Sequence, residues 1–192
     1  MTAVAAQAAG DAAKGKLDEF SDDEKQDLFR MIGLGALKYY LLKVDPQKRM
    51  LFNPAESVDV HGHTGPFIQY VHARIRSVMR KAHEAGLSTN DLAHEATATA
   101  DRPLHETEQE VIVLLGQFAQ SVASAGRDYA PSYVAQYMYD LAKAYNRLFA
   151  EVSILSEPDA ARTQLRLSLS AVVAETICKG MGLLGIEVAE KM

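Results

Sequence analysis

PFIQYVHARIRSVMRKAHEAG, Pro66 to Gly86, is the stretch whose pattern decides the fold class. Phe67, Val71, Ile75, Val78 and Ala82 recur at steps of four, four, three and four, the spacing of one face of a helix. So regular an apolar stripe predicts a helix laid against a core. Both of its ends carry signals. Proline suits the first turn, where its missing N–H would have had no partner, and Gly86 supplies the left-handed residue that commonly stops a helix. The expected helix runs from Pro66 to about Ala85.

Working outward, the same logic finds helices on both sides. Upstream, Ser21 with Glu24 three residues on makes a capping box, and acids fill the first turn, where the helix dipole favours them. A helix from about Asp22 to Lys38 is expected, with KYYLLKV as a short extended piece before Asp45-Pro46. The alanine-rich start, Ala3 to Ala13, reads as a weak helix. Residues 45–65 hold two prolines and two glycines and read as a connector. Downstream, Pro103, Pro131 and Pro158 each open a helical pattern, expected in the first turn. These segments carry VIVLLGQFAQSVASAG, SYVAQYMYDLAKAYNRLFAEV and DAARTQLRLSLSAVVAETICKG, joined by loops short enough for antiparallel neighbours. The fold class is all-α, a helical bundle.

Composition narrows the function classes. Hydrophobic residues make up 48% of the chain, enough for a packed core at this length. The longest uncharged run, Val111 to Gly126, is too short and too polar to span a bilayer. The first residues show neither a basic n-region nor an aliphatic h-region, so a secretory signal is not supported. A single cysteine, Cys178, permits no intramolecular disulfide and no cysteine-based zinc site; a cytoplasmic setting is expected, with Cys178 as a buried thiol. No phosphate-cradling glycine loop, nucleophile elbow or HExxH appears, so no catalytic residue is assigned.

Charge is segregated along the chain. The formal net charge is -5, yet His61 to Lys81 carries four Arg or Lys and no acid, whereas Asp11 to Asp27 carries seven acids against three lysines. Binding follows the local patch rather than the total. On the helix after Pro66, Tyr70, Arg74, Ser77 and Lys81 form one stripe, and Gln69, His72, Arg76 and Arg80 form the next. Cations beside an aromatic ring and an amide suit single-stranded RNA, whose bases stack and whose phosphates need counter-charge. The residues alone fit better a solvated basic face with Tyr70 half buried in the bundle. Tyr133 with Tyr137, and Tyr145 with Phe149, stand at i,i+4 and fit core packing with hydroxyls at the surface. His61 and His63, with His72 or Glu56, are a weak metal set, and the remaining histidines read as solvated. A helical protein-interaction adaptor using the tyrosine stripe stays open as the alternative to RNA binding.

Four blocks add a resemblance. GLGALKYYLLKV, MLFNPAESVDVHGHTGPFIQYVHARIRSV, APSYVAQYMYDLAKAYNR and RLSLSAVVAETICKGMGLLGIEVAEKM, in this order, resemble the C-terminal part of arginyl-tRNA synthetases, from about Asp22 to the end. The family's HIGH-type and KMSKS-type motifs are absent. The resemblance therefore implies a fragment, with residues 1–54 as the tail of the catalytic region and connector, and residues 55–192 as an α-helical anticodon-binding domain of the class I synthetase type. It implies a natural C-terminus at Met192, tRNA as partner through its anticodon loop, no membrane and no metal. No cofactor is implied for the fragment, while ATP and magnesium serve the full-length enzyme. The family's GPY-x-QY-x-x-x-R motif corresponds to Phe67, Gln69, Tyr70 and Arg74, with Phe67 where Tyr is more usual. The aromatic and the C-terminal Met that shape the anticodon pocket in relatives correspond to Phe149 and Met192.

Overall fold

A computed structural model describes residues 20–87 and 103–192; the alanine-rich start, Asp18, Glu19 and His94 lie outside it. Seven helices follow one another among the described residues, with no strand: α1 (Asp22–Leu42), α2 (Pro54–Ser57), α3 (Gly65–Glu84), α4 (Glu106–Gly116), α5 (Phe118–Asp128), α6 (Ser132–Glu151) and α7 (Ala160–Leu183). None of them is long and apolar enough to cross a membrane.

The helix that decided the fold class lies close to where its signals put it. Thr64 caps its start, accepting from the Phe67 N–H at 3.2 Å. Gly86, at φ 76°, closes its end: Leu87 N–H reaches Ala82 O at 2.9 Å and Gly86 N–H reaches His83 O at 3.0 Å. Phe67, Val71, Ile75, Val78 and Ala82 are all buried. They pack with Val134, Met138, Leu141, Tyr145 and Leu148 of α6, and with Leu167, Val173, Ile177 and Met181 of α7. α4 and α5 cover the outer side of α6.

Local expectation and structure part at three places. KYYLL is helical, not extended, because Tyr39 continues the Ile32 and Ala36 face inward. There its hydroxyl donates to Ala135 O at 2.8 Å, and burial raises its pKa. Tertiary packing overrides the local preference of two adjacent tyrosines. VIVLLGQFAQSVASAG is two helices rather than one. The chain kinks at Gln117, whose N–H takes Leu114 O at 2.9 Å, just after Gly116, a poor helix former. The Tyr137 hydroxyl donates to the same Leu114 carbonyl at 2.8 Å and fixes the kink against α6. The three later prolines precede their helices instead of entering the first turn. Pro131 is the N-cap residue of α6, Asp159 caps α7 just after Pro158, and His105 caps α4 two residues after Pro103.

α1 joins the bundle through a second apolar cluster, in which Leu28, Ile32 and Ala36 meet Val58 and Ala189, with Met192 packed beside them. Its crossing with α3 is made close by glycine. A Cβ on Gly65 would come within 2.6 Å of Gly35 O, so neither helix has room for a side chain there.

Candidate nucleic-acid interface

Arg74 is the focus of the first stripe. Its guanidinium lies 4.7 Å from the Tyr70 ring centroid and 4.9 Å from that of Phe149. One terminal nitrogen donates to the Tyr70 hydroxyl at 3.0 Å and the other to Asn146 Oδ1. Two rings and an amide thus hold one cation across the junction of α3 and α6, a cation–π arrangement that fixes the planar fork. Phe149 remains 39% exposed and Tyr70 and Arg74 are half-buried, so both aromatic surface and charge face solvent. Such a site can stack a base and hold a phosphate or a base edge. Asn146 was not singled out from the sequence; its only signal was a polar amide one turn from Phe149 on an otherwise core-forming helix.

The second stripe does something else. Behind α7, Gly185 at φ 67° turns the chain back, and Ile186 N–H closes the turn on Met181 O at 2.9 Å. The C-terminal segment of residues 185–192 then runs along α3. Gln69 Nε2 donates to Glu187 O at 2.7 Å and more weakly to Met31 O at 3.3 Å. His72 Nδ1 lies 2.9 Å from Ala189 O; a carbonyl only accepts, so Nδ1 carries the proton. Arg76 Nε donates to Glu190 Oε2 at 2.6 Å, and Arg80 donates to Glu190 O at 3.0 Å. All four members of the stripe hold the tail. An acid that residues 61–81 lack is brought to this stripe by the tail.

The other candidate residues distribute accordingly. Gln69 is fully buried and presents no amide to solvent. Phe67 is buried, its ring 5.5 Å from Tyr139, and supports the wall behind Tyr70. Met192 is half-buried on the Leu28 and Ile32 cluster. His61, His63 and His72 do not converge: His63 stacks 4.0 Å from Tyr139 and His72 faces the tail. Among the described residues no three His, Cys, Asp or Glu side chains are placed to hold a metal. Burial lowers the pKa of both His63 and His72, keeping them neutral. His105 is not a merely solvated histidine; it caps α4 in a reciprocal box with Glu108. Cys178 is exposed on α7, not a buried thiol, because the face of α7 at that register points away from α3 and α6.

Tyr137 and Tyr145 are core residues whose hydroxyls find partners, and burial pushes each up to about 12. The Tyr145 hydroxyl donates to Ser170 Oγ at 2.9 Å, while Tyr133 stays exposed.

Comparison with known proteins agrees with this helix arrangement. The DALR anticodon binding domain family matches residues 68–192, from inside α3 to the end of the clasped tail. The chain belongs to this family. The chain is 49% identical over 178 residues to the arginine–tRNA ligase of Bacteroides fragilis, covering 93% of the chain and 29% of that protein. Against the arginine–tRNA ligase of Porphyromonas gingivalis it is 45% identical over all 192 residues, covering 31% of that protein. The chain thus spans about three tenths of the length of these relatives. Among solved structures, the arginyl-tRNA synthetase of Thermus thermophilus superposes with a TM-score of 0.79 at 30% identity, over 98% of this chain and 32% of that one. The arginyl-tRNA synthetase of Plasmodium falciparum shares the fold of the DALR domain with a TM-score of 0.80 at 20% identity, over 100% of this chain and 32% of that one.

Proposed function

We propose that this DALR domain binds the anticodon loop of an arginine-accepting tRNA as the C-terminal part of a cytoplasmic arginyl-tRNA synthetase. The identity of 45–49% to arginine–tRNA ligases, over nearly the whole chain, carries the reading. In it, residues 55–192 are the anticodon-binding domain and residues 1–54 the end of the catalytic region. Tyr70 and Phe149 receive splayed bases, and Arg74 holds a phosphate or a base edge between them. Phe67, Gln69 and Met192 act from behind, by fixing α3 and the tail. ATP and magnesium act in the longer enzyme. The HIGH-type and KMSKS-type motifs of that longer enzyme are absent from this sequence.

The test is a salt series of binding to an arginine tRNA and to the same tRNA changed at the middle anticodon base. Selective loss on that change, with affinity falling as salt rises, is expected. Arg74→Ala is expected to lower affinity by about 1–3 kcal/mol. Equal binding to both tRNAs, or an unchanged affinity in Arg74→Ala, would overturn the assignment. Absence of binding would favour the adaptor.

A further inference from the structure

Arg76 and Arg80 stand one turn apart on α3 and both end on the same residue, Glu190. The contact is wet: the Arg76 side chain is 45% exposed and that of Glu190 is 62% exposed. The rest of the tail is held differently. Glu187 and Ala189 are tied through their backbone carbonyls to Gln69 and His72, both buried, and Lys38 donates to Gly185 O. The segment is therefore anchored on both sides of Glu190, by Ala189 and by Met192, and only the Glu190 side chain is held at the surface. An exposed carboxylate on arginine is weakly held, whereas a phosphate offers the same guanidinium groups more acceptor oxygens and more charge.

We propose that Arg76 and Arg80 form a site for an RNA backbone phosphate, which in the free protein is half closed: the Glu190 carboxylate holds Arg76 and is displaced by the phosphate, while Arg80 rests only on the Glu190 backbone carbonyl. This rests on the RNA-binding reading above and adds to it a second contact, on the stripe next to Arg74. Glu190 occupies the place of the incoming anion and sets a threshold against weakly charged competitors. The backbone of the tail stays in place while the Glu190 side chain swings out.

The test compares the 192-residue chain with Glu190→Gln, and with Glu190→Gln combined with Arg76→Gln and Arg80→Gln, against both tRNAs described above. Glu190→Gln is expected to bind both about two- to fivefold more tightly, the size of an exposed ion pair, because a phosphate contact does not depend on the base. The gain is expected to vanish in the triple variant. Unchanged or weaker binding by Glu190→Gln, or a gain that survives loss of both arginines, overturns the proposal. Should the parent chain discriminate between the tRNAs and Glu190→Gln gain nothing, the phosphate site falls and anticodon reading stands. A gain on both tRNAs without discrimination keeps the site and removes anticodon reading. If neither tRNA binds any of the chains, both fall.

Discussion

Two glutamates in this molecule are each gripped by a pair of arginines four residues apart on a helix, and burial makes them different objects. Glu108, on α4, meets Arg162 at 2.9 Å and Arg166 at 2.7 Å on α7, and Arg166 also meets Glu157 at 2.7 Å. Glu108 is fully buried, and the arginine side chains are 12% and 8% exposed. Glu190 meets Arg76 through its carboxylate and Arg80 through its backbone carbonyl, in the open. An arginine–carboxylate pair thus belongs to a fixed joint between α4 and α7 in one place and to an exchangeable latch in the other. Within a low-dielectric interior no ligand competes for the charges and no water replaces a lost partner. At the surface both alternatives are present.

The sharpest way to break the comparison is to remove each acid in turn. Glu108→Ala is expected to destabilise the fold by about 3–5 kcal/mol, since two arginines are left buried without their partner. Chemical denaturation measures this, and a loss comparable to that of Glu190→Ala would abolish the distinction. Arg166→Lys is the next largest. One ammonium cannot reproduce the bonds of Arg166 to Glu108, Glu157 and the Ser153 carbonyl, and a buried unmet acceptor costs about 1–3 kcal/mol. Arg76→Lys should change stability far less. Glu190→Ala is expected to lower stability by no more than about 1 kcal/mol, and raising salt should erase that difference while leaving the Glu108 effect in place.

The smallest effect is on pH. His72 titrates near 6.5 when unfolded and lower when folded, because burial disfavours the imidazolium. Between those values the unfolded chain binds more protons. The contribution of the neutral ring is thus complete above 6.5 and declines as pH falls through the folded value. His63 has the same sign. Denaturation midpoints measured from pH 7.5 down to 5 should fall less steeply in His72→Gln than in the parent chain. Parallel curves would show that the ring at the buried end of the clasp is not titrating.

Much of this was legible in the chain. The i,i+4 stripe from Phe67 to Ala82, bounded by proline and Gly86, specified both the span of α3 and its buried side, because periodicity and end signals agreed. The capping box at Ser21 and Glu24 located the start of α1 equally well. Tyr70 and Arg74 were legible from the residues as one stripe of α3, whereas the place of Phe149 beside them was legible only through resemblance. Their meeting depends on how α3 and α6 align, and Asn146, which completes the grip on Arg74, has no local signature.

What the sequence by itself determined is the all-helical class and the apolar faces of the long helices, since these follow from neighbours within a turn or two along one chain. Tertiary structure alone decided whether KYYLL stays helical, where the long apolar run kinks at Gln117, and which face of α7 leaves Cys178 in solvent. It also decided the fate of the charges. Arg76, Arg80, Arg162 and Arg166 are equally basic pairs in the sequence. Their difference lies in acids more than fifty residues away and in how much water reaches them, quantities that exist only once the chain has closed on itself.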